Sequence, residues 1–67
     1  SFYRERTMND LFKTEKAALR ALHLIEDEIA IVVYDREDNI YRLMSEETYA
    51  FYSEVFDLDF HYIADNA

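Results

Sequence analysis

The sequence contains no cysteine, no glycine and no proline, and it has no tryptophan. Each absence excludes something. Without cysteine there is no disulfide, no thiolate metal site and no thiol nucleophile. Without glycine there is no phosphate-cradling loop, no dinucleotide fingerprint and no nucleophile elbow. Each of those needs a residue lacking Cβ where the backbone turns sharply or touches its ligand. Tight turns must therefore use Asn or Asp, which best tolerate a left-handed backbone. Long apolar runs are also missing, and none approaches the roughly 18 residues of a membrane span. No basic-then-apolar signal segment opens the chain, so the expected location is cytoplasmic.

Basic residues are scarce. Seven Lys+Arg face fifteen Asp+Glu, a net charge of -8 over 67 residues. The imbalance is uneven. Residues 1–25 carry five cations against three acids, whereas residues 26–67 carry only Arg36 and Arg42 against twelve acids, a balance of -10. Such a chain repels nucleic acid and anionic membranes and attracts basic surfaces. The plainer use of the charge is solubility. Hydrophobic residues make up 51% and aromatics 16%, too apolar for an acidic disordered tail. One small domain is expected over 7–67, roughly 22 Å across, preceded by an arm over 1–6. Its core must be thin, since a chain of this size buries only about 60% of its unfolded surface.

Apolar periodicity predicts an α+β fold: helix, β-hairpin, helix, with a short C-terminal edge strand as a further element. Met8, Leu11, Phe12, Ala18, Leu19, Leu22 and Ile25 recur at helical spacing, which predicts a helix over 8–25 with Thr7 as its N-cap. Lys13, Lys16 and Arg20 make a basic ridge on its polar side, beside His23. Glu15 projects into the apolar arc, where it either pairs with Arg42 or reaches water at the margin. Residues 29–34 (IAIVVY) and 40–44 (IYRLM) are strand-like and flank the polar loop DREDN, the pattern of an antiparallel hairpin with Asp38 or Asn39 left-handed. Both sides of the first strand are apolar, so both are covered, or one meets a partner. Ser45 caps a second helix over 46–58. The apolar arc of that helix, with Tyr49, Phe51, Tyr52, Val55 and Phe56, is wider than a small core needs. The tail DFHYIA, 59–64, has the composition of a third strand.

No constellation carries chemistry. Asp35, Glu37, Asn39 and Glu46 match four positions of a calcium loop, but Ile40 stands where that loop needs glycine, and the hairpin explains the same residues. Asp57, Asp59 and His61 alternate without an obvious fourth ligand. His23 and Asp27, at i, i+4, read as a helix pair. Ser45 reads as a cap and Ser53 lies near the acidic side of the second helix, so neither suits a nucleophile, and a single 67-residue domain has little room for a sugar cleft. The expectation is a non-enzymatic protein with no catalytic residues, no metal and no cofactor.

Two functions remain. In the first, an acidic face of Asp35, Glu37, Asp38, Glu46, Glu47, Glu54, Asp57 and Asp59 occupies the nucleic-acid-binding surface of another protein, inhibiting or regulating it. Duplex DNA presents one negative charge per about 1.7 Å, and carboxylates on rigid elements can imitate it. In composition and size, though in no motif, the chain is similar to small acidic inhibitors of phages and mobile elements, some of which imitate DNA. In the second, the aromatic face of Tyr49, Phe51, Tyr52, Val55 and Phe56 makes a homodimer or regulatory-subunit interface, consistent with six Tyr and five Arg against two Lys, an interface-like usage. Asp35, Glu37 and Asp38 are expected outside the core. Changing them together to Asn, Gln and Asn should then alter stability by no more than about 0.5 kcal/mol, while weakening a charge-recognising partner.

Overall fold

The β-branched run that suggested a strand forms one, and it lies inside a sheet. The computed structural model describes residues 10–55 and 60–67. They form β1 (Asp10–Phe12), α1 (Glu15–Leu22), β2 (Ala30–Asp35), β3 (Ile40–Ser45), α2 (Glu46–Val55) and β4 (Phe60–Asp65). The strands make one antiparallel sheet in the order β1-β3-β2-β4. The α+β class is present, with two helices and four strands among the described residues.

The β2–β3 hairpin sets the geometry. Its register runs from Ala30 opposite Ser45 to Asp35 opposite Ile40, leaving residues 36–39 as the turn. With no glycine available, Asn39 takes the left-handed backbone, at φ 55°, and its side chain accepts a hydrogen bond from the Tyr34 hydroxyl. Asp35 Oδ1 accepts from the backbone N–H groups of Glu37 (3.0 Å) and Asp38 (3.3 Å), the side-chain turn that Asp favours.

Alternation along β2 explains why both its sides are apolar. Ala30 and Val32 point to one face and join Ala18, Leu22 and Leu43 in a buried cluster under α1. Ile31 and Val33 point to the other face and join Met44 in a second cluster, packed against Tyr49 and Tyr52 of α2 and Phe60 of β4. The sheet is thus covered on both faces by the chain's own helices. Fully burying Val32, Val33, Leu43 and Met44 contributes roughly 1.5–3 kcal/mol each relative to exposure.

Four expectations change. The helix expected over 8–25 begins only at Glu15, because Thr14, in extended conformation, accepts the Ala17 N–H (3.1 Å) and caps it. Residues 10–12 extend instead and pair with β3, with Leu11 exposed and Phe12 against the α1 cluster, a period of two rather than 3.6. Met8 and Thr7, the expected cap, lie outside the described residues. The helix also stops at Leu22, so His23 and Asp27 do not share it. Arg42 does not meet Glu15, which is exposed in the first turn of α1; Arg42 binds Asp35 and Asp38 (both 2.9 Å). Asp35 is buried, not outside the core.

The second helix starts as expected. The Ser45 hydroxyl accepts the Thr48 N–H (3.1 Å), and Glu46 and Glu47 sit at the positive end of its dipole. Its expected last turn, 56–58, lies outside the described residues. The tail forms β4 at the sheet edge beside β2. A bulge between its pairs Val32–Ala64 and Val33–Tyr62 adds one residue, so that both Ile63 and Ala64 reach the α1 cluster.

Asn66, just past β4, is a tie that the sequence pattern does not reveal. Its side chain accepts the Ala30 N–H (2.9 Å) and donates to the carbonyls of Ile25 (3.2 Å) and Glu28 (3.0 Å). It joins the α1–β2 connection to the start of β2. Asn66→Ala leaves the fully buried Ala30 with an orphaned donor, and urea denaturation should show a loss of about 1–3 kcal/mol.

Candidate functional site

Six of the eight acids singled out from the sequence lie among the described residues. These six divide between the two ends of the sheet, with Glu54 on the exposed side of α2 between them. At the hairpin end stand Asp35, Glu37 and Asp38. At the other end the α1–β2 connection brings Glu28 beside Glu46 and Glu47, around a shallow hollow also lined by Ile29 and Ser45. The Glu46 N–H donates to the Ile29 carbonyl (3.2 Å), which fixes that meeting. A six-residue strand puts the two ends about 17 Å apart.

The hairpin acids differ among themselves. The Asp35 carboxylate is taken up inside the fold by two backbone N–H groups and the Arg42 guanidinium. Asp38 is exposed and shares Arg42. Glu37 is exposed. Arg36 also stands here, with Nη2 3.5 Å from Nδ1 of His61 on β4. Both arginines of the acidic half are therefore at the hairpin end.

α2 runs back across the sheet from Glu46 toward that end. Its Tyr49 ring meets Tyr62 edge-on at 6.3 Å, and its Tyr52 ring meets Phe60 at 6.3 Å; Phe60 pairs with Asp35. Tyr49 and Tyr52 thus pack against the chain's own sheet, which uses much of the apolar arc that looked surplus. Phe51 is 52% exposed, with its ring 5.8 Å from that of Tyr52. Glu47 and Glu54, both exposed, lie one turn before it and one turn after it. They are about 10 Å apart along the helix. Val55 is the last residue of α2. Phe56, Asp57 and Asp59 lie outside the described residues, and with them the alternation that ended at His61.

At the acidic end one further pair is set by its surroundings. Tyr62 donates a hydrogen bond to Asp65. That bond raises the Tyr62 phenol above its ordinary value and holds the Asp65 carboxyl below its own. A lowered carboxyl adds stability that is lost as pH falls through its folded value. A raised phenol adds stability that is lost as pH rises through its folded value. Both groups are exposed, so the effect is small.

Among the described residues, no group of three or more His, Asp and Glu side chains is placed to hold a metal ion, and no helix is long and apolar enough to cross a membrane. Every buried side-chain polar atom described has a hydrogen-bond partner. The meeting of Glu28 with Glu46 and Glu47 was missed in the sequence, although the hairpin contains the signal. In an antiparallel pair centred on residues 36–39, residue 30 faces residue 45, and the next positions outward bring 28 and 29 to 46 and 47. No known family model matches the chain, and no curated protein or solved structure shows significant similarity to it.

The unequal roles of the hairpin acids separate in single variants. Asp35→Ala strands the half-buried Arg42 and two turn N–H groups, and should cost about 2–3 kcal/mol in urea denaturation. Asp38→Ala should cost no more than about 1 kcal/mol, and Glu37→Gln about 0.5 kcal/mol or less.

Proposed function

We propose that this chain is a non-enzymatic, acidic protein-binding domain that acts in the cytoplasm and occupies the nucleic-acid-binding surface of a partner protein, as an inhibitor or regulator. One observation carries the reading. In the half of the chain with the -10 balance, both arginines stand at the hairpin end, a strand's length from Glu28, Glu46 and Glu47. Those three acids, continued along α2 by Glu54, are exposed and are not neutralised by the arginines of their own half. They are held on a helix start and a backbone-tied connection, so little ordering is lost when a basic surface meets them. Asp38 and Glu37 extend the acidic surface at the far end; Asp35 supports it from inside.

A charge imitator competes with the polymer it imitates. The immobilised chain should retain a protein from the source-cell lysate that elutes at moderate salt. That protein should bind a labelled DNA or RNA, and the free chain should displace the label. The variant Glu28→Gln/Glu46→Gln/Glu47→Gln/Glu54→Gln should lose at least tenfold in displacement at low salt and show a flatter salt slope. A retained protein that holds its nucleic acid undisturbed, or a variant that displaces it as well as the parent does, would sink the reading. Affinity that ignores salt but falls with Phe51→Ala would favour the second reading, an aromatic interface, which the exposure of Phe51 keeps in view.

A further inference from the structure

The sheet separates two helices of opposite charge. Lys16 and Arg20 of α1 and its C-cap His23, still in helical conformation, are exposed and stand at i, i+4 and i+7, so they follow one stripe along the outer side. With Leu19 they line a shallow, open patch. On α2, Glu47, Phe51 and Glu54 are exposed and have the same i, i+4, i+7 spacing. One stripe is two cations and an imidazole beside Leu19; the other is two carboxylates around the half-exposed Phe51 ring, which also packs on Tyr52. Ala18 and Leu22 bind α1 to one face of the sheet, and Tyr49 and Tyr52 bind α2 to the other, so the two stripes look away from each other.

We infer that the outer face of α2 docks on the outer face of α1 of a second copy of this chain, with Phe51 seated among Lys16, Leu19, Arg20 and His23 and its flanking glutamates against the basic side chains. The complementarity is one of charge. Equal spacing sets one glutamate against Lys16 and the other against the His23 imidazole whichever way the helices run, with Arg20 beside the ring. Glu15, about 100° around α1 from Lys16, lies to the side of the stripe. The net charge of -8 opposes approach, but charges away from the contact are screened beyond about 8 Å at physiological ionic strength. Because the stripes face opposite ways, two copies cannot satisfy both with each other. The contact is head-to-tail and, without closure, builds an open row of copies rather than a two-fold dimer. The same glutamates then face either a neighbouring copy or a basic partner, so assembly holds the acidic helix covered until such a partner displaces the neighbour. The contact itself does not depend on that partner, because it also needs α1, which the proposed function does not use.

Sedimentation equilibrium of the full chain at tens to hundreds of micromolar, in about 0.15 M (the lower) and about 1 M salt, tests the inference. At low salt the average mass should exceed the 8.1 kDa of one copy and climb past two copies as concentration rises. At high salt it should fall back to one. Lys16→Glu/Arg20→Glu and Glu47→Lys/Glu54→Lys should each remain single at low salt. Their equimolar mixture should assemble again, since each supplies the charges the other lacks. Phe51→Ser should raise the concentration needed for assembly about tenfold, and it keeps the test decisive if a charge-reversed chain fails to fold. A single-copy mass under every condition overturns the inference, as does a mass that stops at two copies. So does association of the reversed variants equal to that of the parent. Lys16→Glu/Arg20→Glu leaves the acidic helix intact, so its loss of assembly with displacement of nucleic acid retained would separate this contact from the proposed function.

Discussion

The register of the β2–β3 pair is the constraint on which the rest of this domain depends. Strand side chains alternate, so a slip of one residue would exchange the two faces of β2. Val32 would leave the α1 cluster and Val33 the α2 cluster. Three features hold the register at the turn: the left-handed Asn39, the Asp35 side chain on two backbone N–H groups, and Arg42 reaching across the strands to Asp35. In a sequence without glycine, the turn relies on side-chain bonds to keep a conformation that glycine would adopt freely.

From that register follow the positions of the other parts. Ser45 ends β3 opposite Ala30 and at once caps α2, so strand and helix meet with no connecting loop. The same pairing draws Glu28 toward Glu46 and Glu47. The acidic end of the molecule is therefore a by-product of hairpin geometry, built from residues far apart in the chain. Its cationic counterpart on α1 lies across the sheet, separated by a layer of fully buried Val32, Val33, Leu43 and Met44.

The hairpin, both apolar sides of β2 and the Ser45 cap were legible because each rests on local signals: period, turn residues and capping chemistry. The start of α1 was not. Leu11 and Phe12 fit a helical period as well as they fit a strand, and only pairing with β3, a distant segment, decides between them. Asp35 was misread for a related reason. Its position in a polar loop suggested exposure, whereas its burial comes from Arg42 folding over it from the opposite strand. Tyr49 and Tyr52 seemed surplus because the sequence does not show that β4 brings Phe60 and Tyr62 under them. In each case local composition was correct and the long-range partner was missing.

The bonds of Asn66 have a consequence for how the chain is made. The α1–β2 connection and the start of β2 are held by a residue 36 positions further along the sequence, and β4, which flanks β2, is the last strand in chain order. The hairpin is local and can form in microseconds. The α1 cluster, by contrast, lacks Ile63 and Ala64 until those residues have been synthesised. Until β4 has been made, β2 therefore presents one uncovered edge, and β4 then shields that edge from other chains.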